Sequence, residues 1–402
     1  MRVKTDVNKN ILKKTALKMG KGVNKKITVA QILPTIENGG VERGVLDLSK
    51  FSLSCDNLDI IVISAGGSML KQFQRHKIRH IYLPVHSKNP IRIILNIFSI
   101  VKIIKKYNID ICHARSRAPA WSTYFACKKA SCKFVTTFHG SYSFKGFLSS
   151  NSFLKRKYNS IMVRSGLIIA VSNFIKSHII KEYLVPESKV KVIHRGSDVE
   201  YFNKDNVNKE RIVKIIEKLQ LTDDKSVILL PGRFTSWKGH DLLLDALSMI
   251  KSEDFICLMV GKSNESYINN LEKKIGESGL SGKVKILSHV SDMPALYMIS
   301  SVVLSTSTRP EAFGRIATEA GAMEKIIVAT NLGGSKETIV DLETGFLCDH
   351  QSSSDLSKKI LHVLSLDLEK RKEIGVKARH RVKKYFSSEK MISDTIEIYR
   401  NL

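Results

Sequence analysis

The segment Ser301–Ala320 reads SVVLSTSTRPEAFGRIATEA and sets out a strand, a loop and a helix in that order. The run Ser301–Ser305 is short and apolar, which is typical of a buried strand. Pro310 prevents a helix from running smoothly through that point, so a helix is predicted to begin just after it, near Phe313. A strand followed by a helix in this way indicates a parallel α/β sheet.

Two glutamates in this segment carry the strongest functional signal. Glu311 is expected in the loop beside the exposed N–H groups of the helix start, and Glu319 about two turns inside the helix. A helix N-terminus favours an anion, so a phosphate site between two carboxylates would suit a ligand with a sugar at each end and a diphosphate in the middle. Two glutamates on a solvated helix are the alternative. The turn chemistry around Glu311 and the small residues after Glu319 favour the site.

The same alternation of strands and helices extends through the whole chain and predicts two similar α/β units. A polar, charged stretch lies at the midpoint, and the linker is predicted near Asp198–Asn208. In the first half the predicted strands are Ile27–Leu33, Asp59–Ser64, Arg79–Leu83, Ile109–Ala114, Lys133–Phe138, Leu167–Val171 and Lys189–Ile193. In the second half they are Ser226–Leu230, Phe255–Val260, Lys283–Leu287, Ser301–Ser305, Ile326–Ala329 and Gly345–Leu347.

The composition fits two domains with an uneven charge. The chain has 402 residues, 43% of them apolar, which excludes global disorder. Residues 1–200 hold 35 basic and 11 acidic residues, a net charge of +24, whereas residues 201–402 hold 30 and 27, a net charge of +3. The first half is therefore expected to face an anionic partner, which could be a membrane surface, a phosphorylated glycolipid or nucleic acid.

No segment is predicted to cross a membrane. The most apolar helix candidate, Pro90–Tyr107, is interrupted by Arg92 and three lysines, so it is predicted to be an amphipathic helix that faces the core. Residues 1–26 carry nine basic residues and one acidic residue and have no apolar run typical of a secretory signal. A disordered basic tail is favoured there over an interfacial helix.

The six cysteines form no C-x-x-C pair and have no histidine at a spacing suited to zinc. We expect them to be reduced thiols in a cytoplasmic protein, most of them small core residues, and we expect no metal site. They are Cys55, Cys112, Cys127, Cys132, Cys257 and Cys348.

Further candidate residues follow the predicted strands, at the edge where parallel sheets form their sites. Gly39 and Gly40 precede a helix, where glycine lets backbone N–H groups approach a phosphate, although such a pair is often only a turn. Arg233 and Lys238 could clamp a diphosphate, and a solvated surface pair is the alternative. His139 ends the strand KFVTTF, and either a structural or a functional role is open to it.

A basic and aromatic patch is predicted in Ser143–Arg164. It would meet anionic headgroups or an acceptor, and an ordinary amphipathic helix with a basic outer face is the alternative. Its proposed contacts are Lys145, Lys155, Arg156 and Lys157.

Taken together and in this order, these segments resemble glycosyltransferase family 4, which has the GT-B fold. The resemblance runs from about Ile27 to near the end of the chain. Its carriers are GGVE (39–42), FHG (138–140), VSNF (171–174), VIHRGSD (192–198), GRFTSWKG (232–239), RPEAFGRIATEA (309–320) and NLGGSKE (331–337).

The resemblance implies an α/β, GT-B protein with two Rossmann-like domains whose parallel sheets face each other across a cleft. Residues 27–200 would bind the acceptor and residues 201–375 the nucleotide sugar. The helices of residues 376–402 would pack back on the first domain.

The resemblance also assigns roles to residues. Glu311 would hold the hydroxyls of the donor sugar and His139 would line the sugar pocket, so these two are the catalytic candidates. Glu319 would hold the ribose, and Val290 would lie in the loop that reads the base. The diphosphate would meet the backbone of Gly39, Gly40, Phe313 and Gly314 and the side chains of Arg233 and Lys238.

The sequence departs from the family pattern at two places near the expected donor site. Ala312 stands where the family often has glycine, and HRGSD (194–198) stands where it often has Pro-Asn-Gly-Val-Asp. Arg195 thereby adds a cation near the expected cleft. Together with Arg315, it resembles members that build bacterial lipopolysaccharide or capsule.

The implied activity is that of a hexosyltransferase which retains the anomeric configuration. It needs no cofactor and no metal, since no D-x-D lies near the expected donor site. The expected partners are a nucleotide sugar, a glycolipid or polysaccharide acceptor and the anionic inner-membrane surface, with the protein attached peripherally on the cytoplasmic side. No nucleic acid is expected.

Three alternatives remain. A GT-B epimerase or phosphorylase would keep the fold and change the reaction. A basic nucleic-acid-binding protein would account for the charge, but no reading helix, zinc knuckle or aromatic platform for RNA is evident. A dinucleotide-dependent oxidoreductase would need a G-x-G-x-x-G segment after a strand, which the chain does not supply.

Overall fold

The computed structural model describes residues 26–142, 151–222, 224–262, 265–288 and 290–402. These form two compact units. Unit 1 holds the described residues up to Ile193 together with Met391–Leu402, and unit 2 is His194–Lys390. The domain limits given above remain predictions. Lys145 and residues 1–25 of the predicted tail lie outside the described residues.

Unit 1 is built on a seven-stranded parallel sheet with the strand order β3-β2-β1-β4-β5-β6-β7. Its strands are β1 (Ile27–Ile32), β2 (Leu58–Ser64), β3 (Arg79–Tyr82), β4 (Ile111–Ala114), β5 (Lys133–Phe138), β6 (Leu167–Ala170) and β7 (Val190–Val192). Its helices are α1 (Gly40–Ser52), α2 (Leu70–Arg75), α3 (Pro90–Tyr107), α4 (Arg117–Ala130), α5 (Asn151–Asn159) and α6 (Asn173–Tyr183).

Unit 2 is built on a six-stranded parallel sheet with the order β10-β9-β8-β11-β12-β13. Its strands are β8 (Ser226–Pro231), β9 (Phe255–Val260), β10 (Val284–Leu287), β11 (Val302–Ser305), β12 (Ile327–Thr330) and β13 (Phe346–Cys348). Its helices are α7 (Lys209–Leu219), α8 (His240–Ser248), α9 (Glu265–Glu277), α10 (Met293–Ile299), α11 (Arg315–Ala322), α12 (Ser335–Thr338), α13 (Ser353–Ser365) and α14 (Leu368–Tyr385). The last helix, α15 (Ser388–Arg400), begins in unit 2 and ends in unit 1.

The sheet of unit 2 is covered on both faces, as parallel sheets require. Successive side chains of β8 alternate between two hydrophobic cores: Val227 and Leu229 lie in one, and Ile228 and Leu230 in the other. Helices α7, α10, α11 and α14 contribute to the first core, and α8, α9 and α13 to the second. This arrangement makes β8 and β11 central strands whose carboxyl ends carry two long loops.

Both sheets reverse their strand order once. In unit 1, β2 and β3 lie on one side of β1, and β4 to β7 lie on the other side. In unit 2, β9 and β10 lie on one side of β8, and β11 to β13 lie on the other side. Such a reversal leaves a crevice outside the carboxyl ends of the two central strands, because the loops there run in opposite directions. In unit 2 this crevice lies between the loop after β8 and the loop after β11.

The end of the chain is part of unit 1. Tyr399 is buried and its hydroxyl lies 2.7 Å from Gln31 Nε2 and 2.6 Å from His113 Nδ1. The other ring nitrogen of His113 lies 2.6 Å from the hydroxyl of Thr137. Each polar group of this buried network therefore has a partner, which offsets the cost of removing it from water.

Helix α3 differs from its prediction. It has the predicted bounds, and Asn89 caps it by accepting a hydrogen bond from Ile91 N at 2.9 Å. One face is buried, as expected of a core-facing helix, through Asn96, Ile100 and Ile104. The opposite face, however, exposes four large apolar side chains, so the prediction is wrong for that face. Among the described residues, no helix combines the length and the apolar character that a bilayer crossing requires.

Candidate active site

The crevice of unit 2 is closed at its base by contacts between its two loops. Thr308 N donates to the carbonyl of Trp237 at 2.9 Å, and the hydroxyl of Thr306 donates to the carbonyl of Lys238 at 2.9 Å. Gly239 has a φ of 72°, and a Cβ there would overlap the carbonyl of Thr306. Only glycine allows the two loops to approach this closely.

Lys238 and Glu311 meet across this crevice. The ammonium nitrogen of Lys238 lies 2.6 Å from Oε1 of Glu311, and the two side chains are only 13% and 12% exposed. The hydroxyl of Ser307 donates to the same carboxylate oxygen. Because these side chains have little contact with water, each charge is stabilised by the other, and removing either one would leave a costly unpaired buried charge.

A third loop holds the backbone of Glu311. Gly334 N donates to the carbonyl of Glu311 at 2.9 Å. A Cβ on Gly333 would overlap that carbonyl, and a Cβ on Gly334 would overlap Phe313. The two glycines of NLGGSKE thus let the loop after β12 lie directly against the loop after β11, which fixes the position of the carboxylate.

Helix α11 begins beside Glu311 with an uncapped N-terminus. Gly314 is its N-cap residue in the left-handed conformation, with φ at 88°, and no side chain caps the first turn. The helix therefore starts two residues later than predicted, because Gly314 turns the chain before the helix can form. The side chain of Phe313 is buried in the core of unit 2. The backbone N–H groups at a helix start favour an anion.

Glu319 lies in the second turn of α11, closer to its start than predicted. Its Oε1 accepts a hydrogen bond from Arg315 at 2.6 Å, and its Oε2 accepts one from the hydroxyl of Tyr297 at 3.0 Å. Burial, with the neighbouring carboxylate, raises the pKa of Tyr297 well above its usual range, so this hydroxyl remains a donor. The carboxylate is held in place and keeps lone pairs for a further donor.

The comparisons with known proteins agree with this geometry. Residues 38–201 match the family model described as Glycosyltransferase Family 4, and residues 212–381 match the model described as Glycosyl transferases group 1. A crystal structure of a glycosyltransferase from Rickettsia africae is 41% identical, covers 94% of this chain and 99% of its own, and superposes with a TM-score of 0.86. The chain belongs to glycosyltransferase family 4 and has the GT-B fold.

Two further relatives cover most of the chain. The capsular polysaccharide biosynthesis glycosyltransferase CapM of Staphylococcus aureus is 28% identical over 380 residues, which is 90% of this chain and 92% of its own. The structure of HepE from Anabaena in complex with UDP and glucose has a TM-score of 0.80 at 22% identity, over 94% of this chain and 100% of its own. The likeness to HepE shows the fold alone.

The other predicted donor residues of the glycosyltransferase are more dispersed. Arg233 lies in the loop after β8 with an exposed side chain that makes no hydrogen bond or ion pair within the described ranges. Val290, which follows β10, is partly buried and packs on the core of unit 2. Arg195 is half-buried near the start of unit 2. Gly39, Gly40 and His139 belong to unit 1, the first two at the start of α1 and the last at the carboxyl end of β5.

One pair beside the site was not predicted. His194 Nε2 lies 3.0 Å from Oε2 of Glu337, and the His194 ring lies 6.0 Å from that of Phe313. Both residues belong to segments that carry the family resemblance, VIHRGSD and NLGGSKE. Their pairing requires the fold, because 143 positions separate them.

Three cysteines of unit 1 converge, which their spacing could not show because they lie on separate elements. The Sγ atoms of Cys112, Cys127 and Cys132 lie within 4.8 Å of one another. Hydrogen bonding to its neighbours, together with burial, raises the pKa of Cys112. Hydrogen bonding with Cys112 and Cys127 lowers the pKa of Cys132, which is partly exposed. We therefore expect Cys132 to be the most reactive thiol of this group.

Unit 1 also contains a basic cavity of about 520 Å³. Arg117 donates to Oδ1 of Asn159 at 2.9 Å, and its guanidinium carbon lies 4.3 Å from the ring centre of Tyr142. Of the predicted basic patch, Lys155 lines the cavity, whereas Arg156 donates to the carbonyl of Glu182 and Lys157 is exposed. The residues that line the cavity are Lys88, Ser116, Arg117, Ala118, Tyr142, Leu154, Lys155, Tyr158 and Asn159.

Proposed function

We propose that this glycosyltransferase transfers a hexose, with retention of anomeric configuration, from a nucleotide sugar to an envelope glycan or glycolipid of the lipopolysaccharide or capsule type. One observation carries the proposal: the Lys238–Glu311 pair lies beside the N-terminus of α11, which no side chain caps, so a cation, a carboxylate and the backbone donors of a helix start lie in one crevice. A diphosphate-linked sugar needs all three.

The pair would change partners when the donor binds. Lys238 is neutralised by Glu311 in the structure, and an incoming diphosphate would give the ammonium a second anion. Glu311 would then accept hydrogen bonds from the sugar hydroxyls instead. Since both side chains are already held in place, little side-chain entropy remains to be lost on binding.

The leaving group would be stabilised without a metal ion. As the bond between the sugar C1 and the diphosphate oxygen breaks, negative charge develops on the diphosphate. Lys238, Arg233 and the N–H groups of α11 would stabilise that charge in place of a metal ion. Glu311 would position the sugar, and Glu319 would hold the ribose.

Two relatives support the substrate classes. HepE was crystallised with UDP and with UDP-glucose, which supports a nucleotide-sugar donor here. The Staphylococcus aureus relative is named for capsular polysaccharide biosynthesis, which supports an envelope acceptor. The cationic cavity of unit 1 suits an acceptor that carries phosphate, with Lys88, Arg117 and Lys155 as its counter-charges. We propose that the enzyme works while peripherally attached to the anionic inner surface of the membrane.

The test is release of nucleoside diphosphate from a panel of nucleotide sugars. We expect release only when a glycolipid acceptor is also present, and we expect it to continue in a metal chelator. Glu311→Ala should abolish turnover while the protein still melts cooperatively. Unchanged turnover in that variant would refute the role of Glu311, and cleavage driven by orthophosphate alone would indicate a phosphorylase.

A further inference from the structure

Helix α3 exposes a continuous apolar stripe. Ile91, Ile94, Leu95 and Phe98 are 68%, 53%, 54% and 53% exposed. Their spacing of three, four and seven residues places them on one face over two helical turns, a length of about 10 Å. Single exposed apolar residues are ordinary on protein surfaces, but a contiguous group of this kind marks an interaction site.

The surroundings of this stripe are positively charged. Helix α3 contains no acidic residue. In the neighbouring helix α4, the ammonium of Lys129 lies 5.4 Å from the ring centre of Phe98. Asp110 is the single acidic residue between Ile60 and Lys181, and its carboxylate accepts a hydrogen bond from Thr28 N. Exposed basic residues on α3 itself are Arg92, Lys102, Lys105 and Lys106.

The positive charge around the stripe indicates which kind of partner binds there. A second copy of the chain would bring the cations of two α3 helices together around the apolar contact, and like charges repel. An anionic bilayer satisfies both features, because its headgroups attract the cations while its acyl boundary accepts the apolar side chains.

We propose that α3 is the membrane-docking element of this enzyme. Its stripe enters the boundary between headgroups and acyl chains of an anionic bilayer, and the basic residues around it contact the headgroups. This inference rests on the peripheral membrane attachment of the proposed function and assigns it to an element other than the predicted patch at Ser143–Arg164.

The position of the basic cavity agrees with this orientation. Lys88 lines the cavity and immediately precedes Asn89, the residue that caps α3. Leu154, which also lines the cavity, is 60% exposed. Docking through α3 would therefore bring the cavity to the depth of the headgroups, where a lipid-linked acceptor presents its phosphate.

The test is co-sedimentation of the full chain with vesicles of phosphatidylglycerol and phosphatidylcholine in equal parts. Leu95→Ser combined with Phe98→Ser should weaken binding by roughly tenfold or more, since two large apolar side chains are lost from the inserted face. The control combines Leu368→Ser with Val376→Ser, which removes two exposed apolar side chains from α14 of unit 2. It should bind as the wild type does. The wild-type chain should bind much less to vesicles of phosphatidylcholine alone.

A second measurement reports how deeply position 98 enters the bilayer. In Phe98→Trp, lipids brominated along their acyl chains should quench the new fluorescence, whereas Leu368→Trp should show no added quenching. Equal binding of the α3 variant and the wild type, or no quenching at position 98, would overturn the proposal. So would a dimer in solution that Leu95→Ser and Phe98→Ser dissolve. Nucleotide-sugar binding by the α3 variant is also measured without vesicles. If the variant binds the nucleotide sugar while the docking test fails, only the docking proposal is wrong and the proposed function is unaffected.

Discussion

At the residue scale, the Lys238–Glu311 pair, to which we assign the donor chemistry, also contributes to the stability of unit 2. Lys238→Met would leave the carboxylate of Glu311 with little water and no cation. We expect a loss of about 3 kcal/mol in the free energy of unfolding, since breaking a buried pair exposes the full desolvation cost of the remaining charge. Urea unfolding followed by the fluorescence of Trp237, which lies next to Lys238, measures this.

The control for this prediction is an exposed ion pair of the same type. Lys273 and Glu277 are 3.7 Å apart, with side chains 77% and 63% exposed. Lys273→Met should cost less than about 0.5 kcal/mol. Adding Glu311→Gln to Lys238→Met should recover most of the lost stability, and a double variant as unstable as the single one would contradict the argument.

Because of His240, we expect the stability of unit 2 to depend on pH. It is buried at the start of α8 and stacks on Phe234 at 4.9 Å between ring centres. Burial lowers the pKa of His240 from 6.5 to about 4. Between these values the unfolded chain binds more protons than the folded one, so stability rises with pH across this window and falls as pH drops towards 4.

The size of the effect follows from the same pKa. The difference between 6.5 and about 4 corresponds to about 3 kcal/mol in the free energy of unfolding. His240→Phe should remove this part of the pH dependence, as measured by urea unfolding at pH values within the window. A variant whose pH slope equals that of the wild type would contradict the assignment.

Cys132 should be the first cysteine to react with an alkylating reagent. Hydrogen bonding with Cys112 and Cys127 lowers its pKa and so raises its thiolate fraction. Cys55 is also partly exposed, but burial raises its pKa, which makes it the internal control. Peptide mass spectrometry after brief iodoacetamide treatment should show label on Cys132 well before Cys55. Equal labelling of the two would contradict the prediction.

At the scale of elements, the glycines of NLGGSKE hold the loop that carries Glu311. A Cβ on Gly334 would overlap Phe313, so Gly334→Ala must push the loop after β11 away from its place. We expect a loss of roughly 2 kcal/mol in stability and weaker donor binding, since overpacking in a rigid site costs about that much. Thermal melting and nucleotide-sugar titration measure the two effects.

Gly276 in α9 supplies the matched control. A Cβ there meets nothing within 4 Å, so Gly276→Ala should raise stability by about 0.5 kcal/mol through helix propensity and leave donor binding unchanged. If Gly334→Ala bound donor as tightly as Gly276→Ala, the loop after β12 would not be what positions Glu311.

The elements were largely predictable, and the exceptions have local causes. All thirteen strands lie where the β-branched runs predicted them, with ends shifted by at most two residues. Helix α11 begins later than predicted because the left-handed conformation of Gly314 cannot be distinguished in sequence from an ordinary flexible position. The outer face of α3 was missed because a periodic apolar pattern does not show which side meets the core.

At the scale of the whole molecule, the two halves of the chain differ in charge, with a net charge of +24 in residues 1–200 and +3 in residues 201–402. Unit 2 carries the proposed donor crevice. The ordered motifs pointed to it through resemblance, and the structure brings together its loops, which follow β8, β11 and β12. The pairings Lys238–Glu311, Arg315–Glu319 and His194–Glu337 required the fold, since contacts between distant segments leave no mark in a single sequence.

We expect the N-terminus of α11, with Lys238 and the two glutamates, to hold a nucleotide sugar. A crystal structure of the protein with its preferred donor tests this most directly. We predict the diphosphate on Lys238 and on the first N–H groups of α11, the sugar on Glu311, the ribose on Glu319, and a Lys238–Glu311 separation greater than the present 2.6 Å. Donor bound elsewhere, with this ion pair unchanged, would contradict the account.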